Sequence, residues 1–292
     1  MRPDSQTSLV RTAAGLLREG PRHTLELARE VLGLDGHSGA AAAAVFQLLG
    51  ADPRFQVDGD GNWRLDPAVA PLGVPLGEVS FQVVDVETTG GGQWRGHRII
   101  DFAAVEVVGG EIVDEYQTLV NPGRRIPGAI TALTGIHDGM VAGAPYFEHV
   151  ADAIAERLSG SVFVAHNAPF DWGFVSGELI RTVGDAPEVP RVCTVRMVRR
   201  LVPQLRHRNL DVVTRHFGVK VHDRHRAYGD ALATARVFIR LLDEAVGRGI
   251  DDLATLQWYL ARRRKTPRGD PSQTALPLDA RRSRQSPMGE EG

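Results

Sequence analysis

Two carboxylates, Asp85 and Glu87, stand side by side in a run of largely apolar residues, FQVVDVET. No other feature constrains what this chain can fold into so strongly. In a strand, residues two apart leave the same face, so both acids project together at the end of a buried strand. Two like charges taken out of water repel unless a cation joins them or one takes up a proton. A divalent cation meets that need, and oxygen ligands favour Mg²⁺ or Mn²⁺ over zinc. A strand-end pair facing water is the alternative.

Composition narrows the setting. The chain has 292 residues, room for two domains with tails. Its one cysteine, Cys193, rules out a disulfide framework and a thiolate zinc site, and reads as a small buried hydrophobe. The start MRPDSQTSLVRTAAGLL lacks the apolar core of a signal peptide, and no stretch nears the roughly 18 apolar residues of a membrane span. A cytoplasmic protein is expected. The formal net charge is −2, but residues 191–240 hold twelve basic side chains against Asp211, Asp223 and Asp230. Such a cluster suits phosphates, and a solvated helix face is the plainer reading.

Three segments separate along the chain. Residues 1–70 read as three helices, SLVRTAAGLLREG, TLELAREVLGL and SGAAAAAVFQLLG, each opened by a Ser or Thr able to cap it. The alternating run RFQVDGDGNWRL then reads as a hairpin. This resembles a small winged-helix domain. Its last helix is nearly all alanine and acids gather near the wing, which favours protein contact over reading of DNA. Residues 71–77 are expected to be a linker. Residues 78–247 open with FQVVDVET, RIIDFAAVEVV and EIVDEYQTLV, the last two joined at Gly109-Gly110. A helix near 146–158, the strand SVFVAH, and helices entered at Ala168-Pro169 and near 194–202, 209–217 and 227–246 follow. That order implies an α/β domain with a mixed sheet. A helix over 248–265 and a disordered tail over 266–292 complete the expectation.

Two further motifs supply chemistry. In AHNAPFD, Asp171 falls in the first turn of a helix that leaves a strand end, where ligands gather in open α/β sheets. His166 and Asn167 beside it are either ligand contacts or structural hydrogen-bonders. In HRAYGDA, His225 and Asp230 are five apart, roughly 140° around a continuous helix. They can share a site only if His225 lies in the loop before the helix. A loop histidine near neutral pKa suits a general base.

Taken together, VVDVETTG, AHNAPFD and HRAYGDA resemble the DEDDh family of 3′–5′ exonucleases, whose members include the proofreading epsilon subunit of bacterial DNA polymerase III. The resemblance covers about residues 78–247 and implies an RNase H-like fold with a mixed five-stranded sheet. By position it makes Asp85, Glu87, Asp171 and Asp230 the carboxylates holding two divalent cations (Mg²⁺ or Mn²⁺), and His225 the base. It also implies a pocket for the 3′-terminal nucleotide at Thr88, Thr89, Leu133, Thr134 and Ile136, with Phe170, His166 and Asn167 nearby; ordinary core is the alternative for Leu133 and Ile136. The implied reaction is hydrolysis to 5′-mononucleotides with metals about 3.5–4 Å apart. Single-stranded ends should be preferred, because the terminal base must be splayed out and stacked. The glycine-rich run Gly90-Gly91-Gly92-Gln93-Trp94-Arg95 departs from the family's pattern and bears on substrate entry.

In the tail, Gln273, Leu276 and Leu278 resemble the short peptides that dock bacterial enzymes on the sliding clamp. Single-stranded DNA 3′ ends are thus the expected substrate, with a clamp or polymerase subunit as partner. RNA ends, or a non-catalytic adaptor role, are the competing readings.

Overall fold

The computed structural model describes residues 3–35, 38–66 and 74–261. The N-terminal segment runs α1 (Pro3–Glu19), β1 (Arg22–His23), α2 (Thr24–Leu32), α3 (Ser38–Leu49), β2 (Phe55–Val57) and β3 (Asn62–Leu65). Its strands form an antiparallel sheet in the order β1-β3-β2. The short β1 was not legible in the sequence, and the cap of α2 is His23 rather than Thr24. His23 Nδ1 accepts from Leu25 N, and Glu26 reaches back to the His23 amide. The Thr24 hydroxyl is already committed, donating to Gly61 O at 2.7 Å and accepting from Trp63 Nε1 at 3.0 Å. Leu27, Val45, Leu49 and Trp63 belong to a separate core for this segment.

The remainder contains β4 (Phe81–Thr88), β5 (Ile99–Val108), β6 (Glu111–Leu119), α4 (Gly128–Thr134), α5 (Asp138–Val141), α6 (Ala151–Leu158), β7 (Val162–Ala165), α7 (Ala168–Val183), β8 (Arg191–Cys193), α8 (Thr194–Leu201), α9 (Leu210–Phe217), α10 (Ala227–Gly247) and α11 (Leu253–Ala261). The sheet order is β6-β5-β4-β7-β8. The β6-β5-β4 part is antiparallel, and β7 and β8 are parallel to β4. Alternation along β4 sorts its side chains between two cores. Phe81 and Val83 join a core with Val237, Phe238 and Leu241 of α10, while Val84 and Val86 join one with Phe174, Val175 and Leu179 of α7. The sheet is therefore covered on both faces, and Asp85 and Glu87 leave on the α10 side, beyond Val83.

The two folded parts meet at a buried guanidinium. Arg54 is 1% exposed, pairs with Asp52 at 2.8 Å, donates to Arg248 O at 2.5 Å and lies over the rings of Phe55 and Tyr259. The Asp52 carboxylate, the Arg248 carbonyl and the two ring faces offset the cost of burying that charge. Arg18 and Asp251 pair at 2.9 Å across the same junction. The second half of the expected linker is docked rather than free. Leu76 is buried, its amide bonds Asp251 O at 2.8 Å, and Leu253 N bonds Val74 O at 3.0 Å. Residues 67–73 and everything from 262, including Gln273, Leu276 and Leu278, lie outside the described residues. No helix among the described residues is long and apolar enough to cross a membrane.

Candidate active site

Strand β7 pairs with β4 only as far as Val83. Past that point the two strands diverge, and the Val86 amide donates instead to Asp171 Oδ1 at 3.3 Å. Asp171 lies in the first turn of α7, which Pro169 enters with its fixed φ. The chain reaches α7 through Asn167, whose φ of 80° is left-handed, a conformation that asparagine tolerates better than most residues. Asp171 is 4% exposed and Asp230, in the first turn of α10, is 3% exposed. Four carboxylates thus converge on the end of β4 from a strand and two helices.

The histidine stands apart from this scaffold. Helix α10 begins at Ala227, so His225 lies in the preceding loop, with a left-handed φ of 63°. Its backbone amide donates to Asp230 Oδ2 at 3.1 Å. Glu87, His225 and Asp230 each present a ligand atom within 4.8 Å of the others. The same Asp230 oxygen also accepts from Arg224, whose Nε holds Asp211 at 2.7 Å. Asp230 Oδ1 is buried and has no hydrogen-bond partner. One oxygen is held and the other is presented, as expected of a carboxylate oriented to receive a cation.

Electrostatics agree with that reading. Burial pushes Asp85 well above the usual carboxylate range, and the charges of Asp171, Asp230 and Glu87 push it further, against Arg224. Burial, then Asp230 and Asp101, raise Glu87 to about 7. Burial raises Asp171 to about 8, against hydrogen bonds from its own amide and that of Val86. Burial also raises Asp230, opposed by Arg224. Ionising so many acids in one place is costly unless a divalent cation takes the protons' place.

That arrangement has a testable sign. A carboxyl whose folded pKa exceeds its unfolded value keeps a proton that the unfolded chain has released. Its contribution to stability is present at low pH and is lost as pH rises from about 4 through 7 to 8. We expect the Tm of chelator-treated protein to fall over that window, as stability declines by up to about 1.4 kcal/mol per pH unit for each group titrating. Saturating Mg²⁺ should flatten the decline, and thermal melts with parallel pH dependence in EDTA and Mg²⁺ would refute this.

Three supporting residues escaped the sequence reading. Asp101 of β5, paired in register with Glu87, accepts from Arg226 Nε at 2.9 Å and Ala227 N at 3.3 Å, pinning the start of α10. Its isolation in RIIDFAAVEVV, an acid in an apolar strand, was the available signal. Arg224 has no counterpart signal, because nothing local shows that the loop turns it onto Asp211 and Asp230. Gly229 is the third. A Cβ there would lie 2.1 Å from His222 O and 2.5 Å from Asp223 O, so only glycine lets the His225 loop pack on α10. Gly229→Ala should displace that loop, costing about 1–3 kcal/mol of stability by overpacking. Turnover should fall at least tenfold, beyond any loss explained by unfolding; thermal melts beside steady-state rates test this.

The expected nucleotide pocket divides. Leu133 is 53% exposed and Phe170 36%, its ring 5.1 Å from Phe174, so both offer apolar surface. Ile136 is buried with Ile100, Ile126 and Val141. The hydroxyls of Thr88, Thr89 and Thr134 are engaged with Gly90 O, His97 and Ile130 O respectively. His166 uses both ring nitrogens, on Thr194 and Arg208 O, each at 2.8 Å. The basic stretch is also divided. Arg196 and Arg200 serve α11, Arg224 and Arg226 serve the site, and Arg240 lies beside Asp243. These five side chains are therefore divided among separate local partners. Cys193 is half-buried and free.

Residues 83–238 match the RNase_T family of exonucleases, more than half of the 292 residues, and the chain belongs to that family. A DNA polymerase III subunit epsilon-like protein of Rhodobacter capsulatus is 39% identical over 60% of this chain and 25% of its own length. A putative bifunctional exonuclease/endonuclease protein of Mycobacterium tuberculosis is 38% identical over 63% of this chain and 30% of its own. The 3′-5′ exonuclease DinG of Bacillus subtilis is 36% identical over 56% and 18%. The chain therefore spans less than a third of the length of these relatives. Escherichia coli Exonuclease I with a dT13 oligonucleotide superposes with a TM-score of 0.52 at 17% identity, over 58% of this chain and 42% of that one. At that identity the likeness concerns the fold, which is RNase H-like.

Proposed function

We propose that this chain is a metal-dependent 3′–5′ exonuclease of the DEDDh type that removes 5′-mononucleotides from single-stranded or frayed DNA, in proofreading or repair. The observation that carries the reading is the convergence of Asp85, Glu87, Asp171 and Asp230 at one strand end, with the His225 loop beside them. The carboxylates are the residues that would hold two Mg²⁺ or Mn²⁺ ions, and the unpartnered Asp230 Oδ1 fits such a ligand. When bound, such ions supply Lewis-acid stabilisation of the phosphate and its leaving oxygen. The chain's own contributions are distinct. His225 accepts the proton of the attacking water, Arg224 and the His225 amide orient Asp230, and Asp101 fixes the helix start that sets the His225 loop. Exposed Leu133 and Phe170 flank the terminal nucleotide and favour an unpaired base.

The DNA reading draws on the Rhodobacter relative's name and on the Gln273, Leu276 and Leu278 peptide as a clamp-docking element. The N-terminal helix–strand–helix–helix–hairpin segment is winged-helix-like in its order and serves protein contact, its alanine-rich α3 carrying no charge for phosphate. A cytoplasmic location follows from these roles. The test is a panel of 3′- and 5′-labelled single-stranded DNA, duplex DNA and RNA, with chelator and metal add-back. Mononucleotide release from DNA 3′ ends, lost in EDTA and restored by Mg²⁺ or Mn²⁺, is expected. Faster release from RNA would assign RNA ends as substrate, and no metal-dependent release would leave the adaptor role.

A further inference from the structure

Trp94 is the most exposed large apolar side chain among the described residues, at 79%. It belongs to the loop that leaves β4 at Thr88, directly after Glu87, and that packs on α7, the helix whose first turn carries Asp171. The loop is held at both ends of a short turn. Arg95 N bonds Gly92 O at 3.0 Å and Gly96 N bonds Gln93 O at 2.9 Å, while Arg124 Nη1 donates to Gly96 O. Gln93 is seated on α7 at Gly177, where a Cβ would lie 1.6 Å from its side-chain nitrogen. The turn is thus clamped from two elements, and it displays an indole that the fold does not use.

The surroundings are cationic. The Arg95 guanidinium lies 4.5 Å from the Trp94 ring centroid. One turn beyond Gly177 on α7, Arg181 shares the buried carboxylate of Glu178 with Arg98. Arg124, which donates to Gly96 O, is exposed, and Glu148 is the exposed acid that faces Arg98. An exposed indole with a guanidinium beside it is the chemistry that recognises a nucleobase and its adjoining phosphates.

We propose that Trp94 stacks on a base of the single-stranded substrate segment just upstream of the 3′-terminal nucleotide, with Arg95 and Arg181 facing its phosphates. This rests on the nuclease reading above. The test uses the full chain in an Asp85→Asn background, which removes turnover, and fluorescence anisotropy with labelled single-stranded DNA. Trp94→Ala should weaken binding about 5- to 150-fold and Trp94→Phe much less. An abasic site walked inward from the 3′ end should weaken the parent at one position, and that penalty should vanish in Trp94→Ala. Unchanged affinity, or an abasic penalty that persists in Trp94→Ala, would overturn the proposal. Degradation of the oligonucleotide by the Asp85→Asn parent, or no binding by the unsubstituted chain, would instead count against the nuclease reading.

Discussion

Asp85→Asn is expected to abolish metal-dependent mononucleotide release, by a factor on the order of a thousand or more, while making the metal-free protein more stable. Both effects have one cause. Asp85 is half-buried on the central strand β4, and desolvation together with the charges of Asp171, Asp230 and Glu87 disfavours its ionised form. An amide of the same shape relieves that repulsion. It also removes a ligand, and with it part of the Lewis-acid stabilisation that such sites supply, worth several kcal/mol at the transition state. Gains in stability against losses in function are the usual signature of a strained site. Steady-state rates in Mg²⁺ and thermal melts in EDTA would check both halves. A variant with activity within tenfold of the parent, or a lower metal-free Tm, would refute the assignment.

His225→Asn is expected to lower kcat about 10²- to 10⁴-fold, the range for losing a positioned proton acceptor, with little change in KM. Asparagine is the suitable replacement because it tolerates the left-handed backbone at φ 63°, so the loop should survive. The Asp230 contact made by this residue is through its backbone amide and is retained. A loss confined to KM would mean that His225 binds substrate rather than moving a proton. Rates within a few-fold of the parent would remove it from the chemistry.

These two variants probe parts of the site that were unequally legible. Asp85 and Glu87 announced themselves, because acids alternating with valines have few stable explanations. His225 could be placed before α10 by helix geometry alone, since five residues on a continuous helix would separate it from Asp230. The sequence also showed four strands of the main sheet within a residue or so. It missed β8, whose three residues Arg191–Cys193 carry no periodicity, and β1, which exists only because β3 pairs with it. Arg224, Asp101 and Gly229 escaped for a related reason. Each acts through a partner that folding brings near, and only Asp101, an acid in an apolar strand, left a local mark.

Local rules, period two in strands and turn residues at helix starts, are written in adjacent residues, and they determined which acids lie on strand ends and helix turns. Only the tertiary structure decided what those acids meet. Burial between two covered faces of the sheet raises their pKa values, Arg224 leaves one oxygen of Asp230 held and the other presented, and Gly229 brings the His225 loop against α10. Electrostatics and close packing act through space rather than along the chain. The elements were therefore readable from the sequence, while the charge state and support of the site emerged when those elements packed.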